Sequence, residues 1–303
     1  MKRATLHFLA MALAGVFVML FFPRCERPEE APRPETFSFV FMTDIHVQPE
    51  RNAAEGFRMA VEEVNRLAPD FVITGGDLIM DALGQTYGRA DSLYELYDAI
   101  ASGIEAKVYN TMGNHEIYGI YESAGADPSH PEYGEKMYEN RLGPRYYSFE
   151  HKGWKFLILD SVEDTEKGSY IGMIDAEQQA WIREELAATD TAMPLVISTH
   201  IPFITIFKQV WYGSTLPNDS SLVVCNAKEV LDLFDGYNLK LVLQGHLHTI
   251  EDIYVDGTHF ITAGAVCGRW WTGPNRGYEE GFARVHVRGD AFDWEYVDYG
   301  WDP

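Results

Sequence analysis

The chain has 303 residues, 46% of them hydrophobic, enough to fill the core of one large domain or two modest ones. Its 24 basic and 46 acidic residues give a net charge of −22. That balance excludes a stable nucleic-acid partner, because a phosphate backbone needs a basic footprint. It also leaves anionic substrates unattended unless bound cations supply the local positive potential.

Lys2 and Arg3 precede an apolar stretch from Phe8 to Phe22, the layout of a secretory signal and short for a membrane span. Residues 1–25 are therefore expected to be a signal peptide or N-terminal anchor. Export follows, to a periplasmic or cell-surface location. Cys25 invites lipid attachment, but Phe22-Pro23-Arg24 before it are not the small residues that lipoprotein processing favours. Lipidation, ordinary cleavage and a retained anchor all stay open. Residues 26–36 are charged and proline-rich and predict an extended linker. Residues 37–303 would form the functional domain.

From residue 37 onward, strand-like apolar runs alternate with helical patterns over 52–67, 91–102, 175–188 and 227–235, which predicts an α/β fold with helices covering sheet faces. Five of the runs end in metal-friendly side chains. Phe37–Thr43 leads into Asp44 and His46, Phe71–Gly76 into Asp77, and Lys107–Gly113 into Asn114, His115 and Glu116. Pro194–Thr199 leads into His200, and Leu239–Gly245 into His246 and His248. Strand ends are where α/β proteins place ligand chemistry. The last stretch differs: residues 250–255, 259–263, 281–287 and 291–297 read as short strands joined by Asp-Gly and Arg-Gly-Asp turns, an antiparallel edge or second sheet. Two long segments, 117–141 and 203–221, follow ligand clusters and are expected to shape access to the site.

Each cluster alone is weak, but all five occur once, in order, each after a strand-like run. Together they resemble the calcineurin-like metallophosphoesterase superfamily, with its D-x-H, G-D, G-N-H-[D/E], H and G-H-x-H motifs, over residues 37 to about 265. Gly113-Asn-His-Glu116 and the hairpin of Tyr146–Phe149 with Lys155–Asp160 look most like its cyclic-nucleotide phosphodiesterase and purple-acid-phosphatase-like branch. Purple acid phosphatases carry a tyrosine ligand three residues past the bridging aspartate, where this chain has Met80; His46 fills that coordination instead. The resemblance implies a four-layer α/β/β/α sandwich of two mixed sheets flanked by helices.

It implies further that Asp44, His46, Asp77 and His248 bind one metal ion and Asp77, Asn114, His200 and His246 a second, with Asp77 bridging. Mixed imidazole and oxygen ligands suit Mn, Fe or Zn. Two such ions, roughly 3.5–4 Å apart, polarise a phosphoryl oxygen and hold a bridging hydroxide in line for attack. His115 would protonate the leaving oxygen, oriented by Glu116 or Asp44. The other histidines, His7, His130, His151, His259 and His286, read as satisfied core residues. Cys225 and Cys267 read as two buried free thiols, with a disulfide between them the alternative that an exported context permits.

For the substrate, Arg269 could pair with a phosphate oxygen, and Trp270 or Trp211 with Tyr212 could stack a base or sugar. Tyr118 and Tyr121 stand close after the G-N-H-E motif. The expected activity is a phosphodiesterase or phosphomonoesterase acting on a small organic phosphate or on a phospholipid or envelope phosphoester. The alternatives are a metal-dependent binding module without turnover and an envelope protein that uses the fold for docking.

Overall fold

A computed structural model describes residues 35–165 and 168–303. The segments assigned above to a signal or anchor, to Cys25 and to most of the linker lie outside the described residues, as does His7. The chain runs through β1 (Thr36–Met42), α1 (Ala53–Leu67), β2 (Phe71–Gly75), α2 (Tyr87–Ala101) and β3 (Lys107–Thr111). Then come α3 (Lys136–Leu142), the paired β4 (Tyr147–His151) and β5 (Trp154–Ile158), a separate hairpin of β6 (Val162–Thr165) and β7 (Ser169–Gly172), and α4 (Ala176–Ala187). The remainder is β8 (Pro194–Ser198), α5 (Phe207–Trp211), α6 (Ala227–Leu231), β9 (Asn238–Gln244), β10 (Ile250–Val255), β11 (Thr258–Ala263), β12 (Gly281–Arg288) and β13 (Ala291–Asp298).

Two large mixed sheets result, ordered β13-β12-β1-β2-β3 and β10-β11-β9-β8-β5-β4. The side-chain alternation of a strand explains how they stack. On β1, Phe37, Phe39 and Phe41 join one core cluster with Phe71 and Ile73 of β2 and with Phe156, Val196, Leu241 and Leu243 of the other sheet. Their neighbours Val40, Met42, Val72, Leu157, Ile197 and Val242 face the opposite way, into clusters shared with Phe57 and Val64 of α1 and Ile182 of α4. Each sheet thus packs on its twin through one face and on helices through the other, the four-layer α/β/β/α sandwich.

β1, β2 and β3 are mutually parallel, as are β5, β8 and β9. Their carboxyl ends carry the five ligand clusters. The C-terminal strands do not form one antiparallel unit. β10 and β11 extend the six-stranded sheet while β12 and β13 extend the five-stranded one, so each hairpin covers an edge of a different sheet.

The minor expectations fare unevenly. His151, His259 and His286 are half-buried residues beside Asp70, Asp252 and Glu295 at the surface, rather than core histidines, because each has a carboxylate within 2.8–3.4 Å. His130 is half-buried as well, its Nδ1 accepting from the Glu132 amide. Cys225 and Cys267 are free, but only Cys267 is buried; Cys225 is exposed.

Candidate metal centre

Eight side chains converge above the junction of the two sheets. The Asp77 Oδ2 atom lies 3.1 Å from His200 Nε2 and 3.5 Å from His46 Nε2, so one carboxylate stands between two imidazole pairs. On one side, His46 Nε2 faces His248 Nε2 at 3.1 Å, and Asp44 Oδ1 is 3.2 Å from the latter. On the other, His200 Nε2 lies 3.2 Å from both His246 Nδ1 and Asn114 Oδ1. Asp44, His46, Asp77, Asn114, His200 and His248 are buried.

The backbone that presents these groups is strained. Asp44, His46, Asp77, His246 and His248 have φ of 55°, 46°, 52°, 70° and 51°, a left-handed conformation that costs a non-glycine residue about 1 kcal/mol or more. Each turn is clamped by groups outside the ligand set. The Trp271 indole N–H donates to the carbonyls of Ile45 and His46 at 3.0 and 3.1 Å, and the Asn275 amide donates to the His248 carbonyl at 2.8 Å. The Glu116 carboxylate accepts from the amides of Asp77, Leu78, Ile79 and Gly113 at 2.7–3.2 Å, tying the Asp77 turn to the Asn114 turn. Glycine is required where turns touch: a Cβ on Gly113 would sit 2.3 Å from the Asp77 nitrogen, and one on Gly245 would sit 2.0 Å from Thr43 Oγ1.

Electrostatics show what the cluster lacks. Burial penalises the charge on Asp77, yet His200 and His115 hold its carboxyl well below the usual range. Burial also opposes a proton on His200, but Asp77 and Asp44 outweigh it and push the imidazole up to about 9. His248 is raised as well, against burial, by Cys267 and Asp44. Burial and the charge on His200 push His246 down to about 4. The His200 and His248 imidazoles are thus drawn toward the protonated state by the carboxylates beside them, the same negative field that would hold a cation. His200 Nδ1 is 2.8 Å from the Gly75 carbonyl and His248 Nδ1 is 2.6 Å from that of Gly268, so Nδ1–H donates in each ring and, once the second proton has left, an Nε2 lone pair points inward. Facing lone pairs with nothing between them repel, whereas a cation between them is held by both. The donor set therefore fits two metal ions, and Asp77, His200 and His246 converge closely enough to share one.

His115 is placed differently. Its Nδ1 is 2.5 Å from the Met80 carbonyl and its Nε2 is 3.9 Å from Asp77 Oδ2, and its ring centre is 4.6 Å from that of His46, so it stands beside His46 and Asp77 with Nδ1 held by the backbone. Neither Glu116 nor Asp44 orients it, contrary to the expectation from sequence. Glu116 is committed to four backbone amides, and Asp44 accepts from the His246 amide and the Thr43 hydroxyl. The Met80 carbonyl, a backbone group that residue types cannot reveal, takes that role.

The proposed substrate residues separate. Trp270 is 40% exposed, with its ring 5.0 Å from that of His248 and 6.1 Å from that of His46, at the lip of the centre. Arg269 is turned to Thr272 Oγ1 at 3.3 Å. Trp211 and Tyr212 stack on Arg276, with its guanidinium carbon 4.8 and 5.4 Å from their ring centres. Tyr118 is buried against Tyr87 and His130, while Tyr121 lines a cavity beside His115. Sequence reasoning misses Trp271 and Tyr170, the latter with its ring 6.2 Å from that of His246. The signal for Trp271 is its place in a double tryptophan after a glycine-flanked strand; Tyr170 gives none.

The calcineurin-like phosphoesterase family model matches residues 37–249, which take in every residue of this cluster and well over half of the 303-residue chain. The chain belongs to the calcineurin-like phosphoesterase family. This phosphoesterase is 23% identical over 251 residues to a probable cyclic nucleotide phosphodiesterase of Xenorhabdus bovienii, covering 78% of this chain and 88% of that one. Its fold resembles a dimetal phosphatase from Danio rerio, with a TM-score of 0.58, 16% identity, and coverage of 87% of this chain and 99% of that one. It also resembles GAP50, the anchor in the inner membrane complex of Plasmodium, at a TM-score of 0.55 and 12% identity, covering 87% and 85%. The chain is a phosphoester hydrolase of this fold, with His and Asp groups disposed to hold metal ions.

Proposed function

We propose that this phosphoesterase is binuclear, with Asp44, His46, Asp77 and His248 holding one cation and Asp77, Asn114, His200 and His246 the other. The observation that carries this reading is the position of Asp77 Oδ2 between His46 and His200 at 3.5 and 3.1 Å. Divalent or trivalent ions such as Mn, Fe or Zn supply Lewis acidity toward a phosphoryl oxygen and lower the pKa of a water. The chain's own part is to hold the phosphoryl group against that centre and to move a proton. His115 is fixed at Nδ1 by the Met80 carbonyl with Nε2 3.9 Å from Asp77 Oδ2, and as the imidazolium it donates the Nε2 proton to the leaving oxygen.

Replacement of His115 by alanine is therefore expected to cost roughly 10²–10⁴-fold in turnover of alkyl esters and much less with p-nitrophenyl esters, whose leaving group needs little protonation. Steady-state kinetics on both series check it, and equal losses would remove the role.

Metal loading carries its own prediction. His200 and His248 hold protons in the metal-free centre, and an imidazole must lose its proton to bind an ion. Manganese uptake at pH 7 is expected to release protons and to tighten as pH rises toward about 9, the value to which Asp77 and Asp44 push His200 against burial. For stability the sign is opposite. Protonation of His200 stabilises the metal-free fold fully below its unfolded value near 6.5, and that contribution is lost as pH rises through about 9. Calorimetric titration with manganese in two buffers of different ionisation enthalpy reads the proton count; identical heats in both would contradict it.

The basic residues Lys2 and Arg3 before the apolar stretch Phe8–Phe22 support export, with the domain acting outside the cytoplasm on a small organic or lipid phosphoester. Among the described residues no helix is long and apolar enough to cross a membrane, so attachment to a bilayer would fall to the N-terminal segment. A docking role without turnover would need neither a complete donor set nor a free His115. The enzyme reading is tested with manganese and bis-p-nitrophenyl phosphate, p-nitrophenyl phosphate and cyclic nucleotides; silence across that panel would favour docking.

A further inference from the structure

A cavity of about 440 Å³ opens beside Asn114 and His115, on the side from which His115 would reach a leaving oxygen. Its walls come from segments far apart in sequence, and they are chemically specific. Tyr121 and Tyr170 line it, and neither hydroxyl has a hydrogen-bond partner among the described residues. Burial, aided by neighbouring Asp81 for Tyr121 and Asp77 for Tyr170, raises both phenols above their usual range, so both remain donors. Gln48 and Gln85 add amides, while Leu83 and Leu93 give an apolar strip suited to carbon faces.

The charges in this cavity are already spoken for. The Arg89 guanidinium holds Glu50 at 2.7 Å. The Asp81 carboxylate accepts from the Leu83 amide and from Gln85, each at 2.9 Å, and its nearest cationic candidate is His115, 3.9 Å away and turned to Met80. A second negative charge on the substrate would meet the Asp81 carboxylate, while Arg89 already pairs with Glu50. An uncharged group meets the two tyrosine hydroxyls without that penalty.

We propose that this cavity is the leaving-group subsite of the centre, and that it takes an uncharged, hydroxyl-bearing alcohol such as a sugar while rejecting one that carries a second negative charge. The proposal rests on the binuclear phosphoesterase reading and names the substrate class of that site. Tyr170 and Tyr121 read the hydroxyls, and Asp81 enforces the exclusion of anions.

The test compares ribose 5-phosphate, phosphocholine and 3-phosphoglycerate, three esters of primary alcohols that differ in charge, together with their methyl diesters, using the manganese-loaded full chain. Ribose esters are expected to exceed glycerate esters by about tenfold or more in kcat/KM. Asp81→Asn should shrink that ratio roughly fivefold by relieving the anionic ester. Tyr170→Phe and Tyr121→Phe, which keep both rings, should each lower the ribose preference by about tenfold through loss of one hydrogen bond. Glycerate turned over as well as ribose, or choline preferred over both, would overturn the assignment. Activity on bis-p-nitrophenyl phosphate alongside such a result would leave the phosphoesterase reading standing; absence of all turnover would end both.

Discussion

Asp77→Asn is expected to lower phosphoester turnover by about three orders of magnitude and to reduce bound metal from two ions per chain to one or none. The argument is geometric. Asp77 is the group shared by both halves of the cluster, with Oδ2 within 3.5 Å of His46 and 3.1 Å of His200. An asparagine keeps the shape but leaves one oxygen where two anionic oxygens stood, and it removes the charge that holds both halves together. His200 would then lose the partner that raises its affinity for a proton, and for a cation by the same electrostatics. Replacing Asn114, which offers one neutral oxygen to one half, should cost less. Metal content by mass spectrometry, read beside kinetics on bis-p-nitrophenyl phosphate, separates the two; two ions retained with full activity in Asp77→Asn would refute the shared role.

The second large effect is on stability. Glu116→Ala strips the acceptor from four buried backbone amides at once, those of Asp77, Leu78, Ile79 and Gly113. Each unsatisfied buried donor costs about 1–3 kcal/mol, so even with water entering the gap the loss should reach about 4 kcal/mol, a large share of the 5–15 kcal/mol typical of a folded domain. Thermal unfolding is expected to fall by about 10 °C or more. Glu116→Gln should be intermediate, because one oxygen still accepts while the amide nitrogen opposes two N–H donors. Burial and neighbouring Asp77 push the Glu116 carboxyl up to about 8, against the backbone donors that favour its ionised form, so a cation beside Asp77 should stabilise this loop as well as the site. Circular dichroism melts with and without manganese measure both effects; an unchanged midpoint in Glu116→Ala would show that the loop does not depend on this carboxylate.

Asp77 and Glu116 differ in how much of their role the amino-acid sequence reveals. The glycine pair after a buried run marks Asp77 only as a carboxylate at a strand end; the bridging role proposed for it is legible through the family resemblance. Glu116 is legible as a member of its motif but not in its role: its side chain turns back into four amides supplied partly by a turn 37–39 residues away. The four expected helices and the strands that carry the ligands follow from periodicity within a few residues, whereas α3 and α5, inside segments read as long loops, and the β6–β7 hairpin do not. α2 begins at Tyr87, four residues before the expected Asp91, because the apolar pattern there is diluted by Gly88 and Arg89. The split of the C-terminal hairpins between two sheets is not legible, since alternation tells a strand that it has two faces and not which sheet edge is open to it.

The site divides in the same way. Ligands sit on segments whose own sequence explains them. The cavity beside His115 is assembled from residues 48–50, 80–93, 114–121 and 170, each ordinary in its local context, so only the folded arrangement shows two unpaired tyrosine hydroxyls next to the Arg89–Glu50 pair and the Asp81 carboxylate. Trp270 and Trp271 make the point at closest range. Adjacent in sequence, one is 40% exposed beside the His46 and His248 rings and the other 1% exposed, holding the His46 turn.

The most direct measurement is anomalous diffraction from crystals of the manganese-loaded protein. Two peaks are predicted, one enclosed by Asp44, His46, Asp77 and His248 and one by Asp77, Asn114, His200 and His246, with Asp77 common to both. A single peak, or two that do not share Asp77, would contradict the binuclear centre.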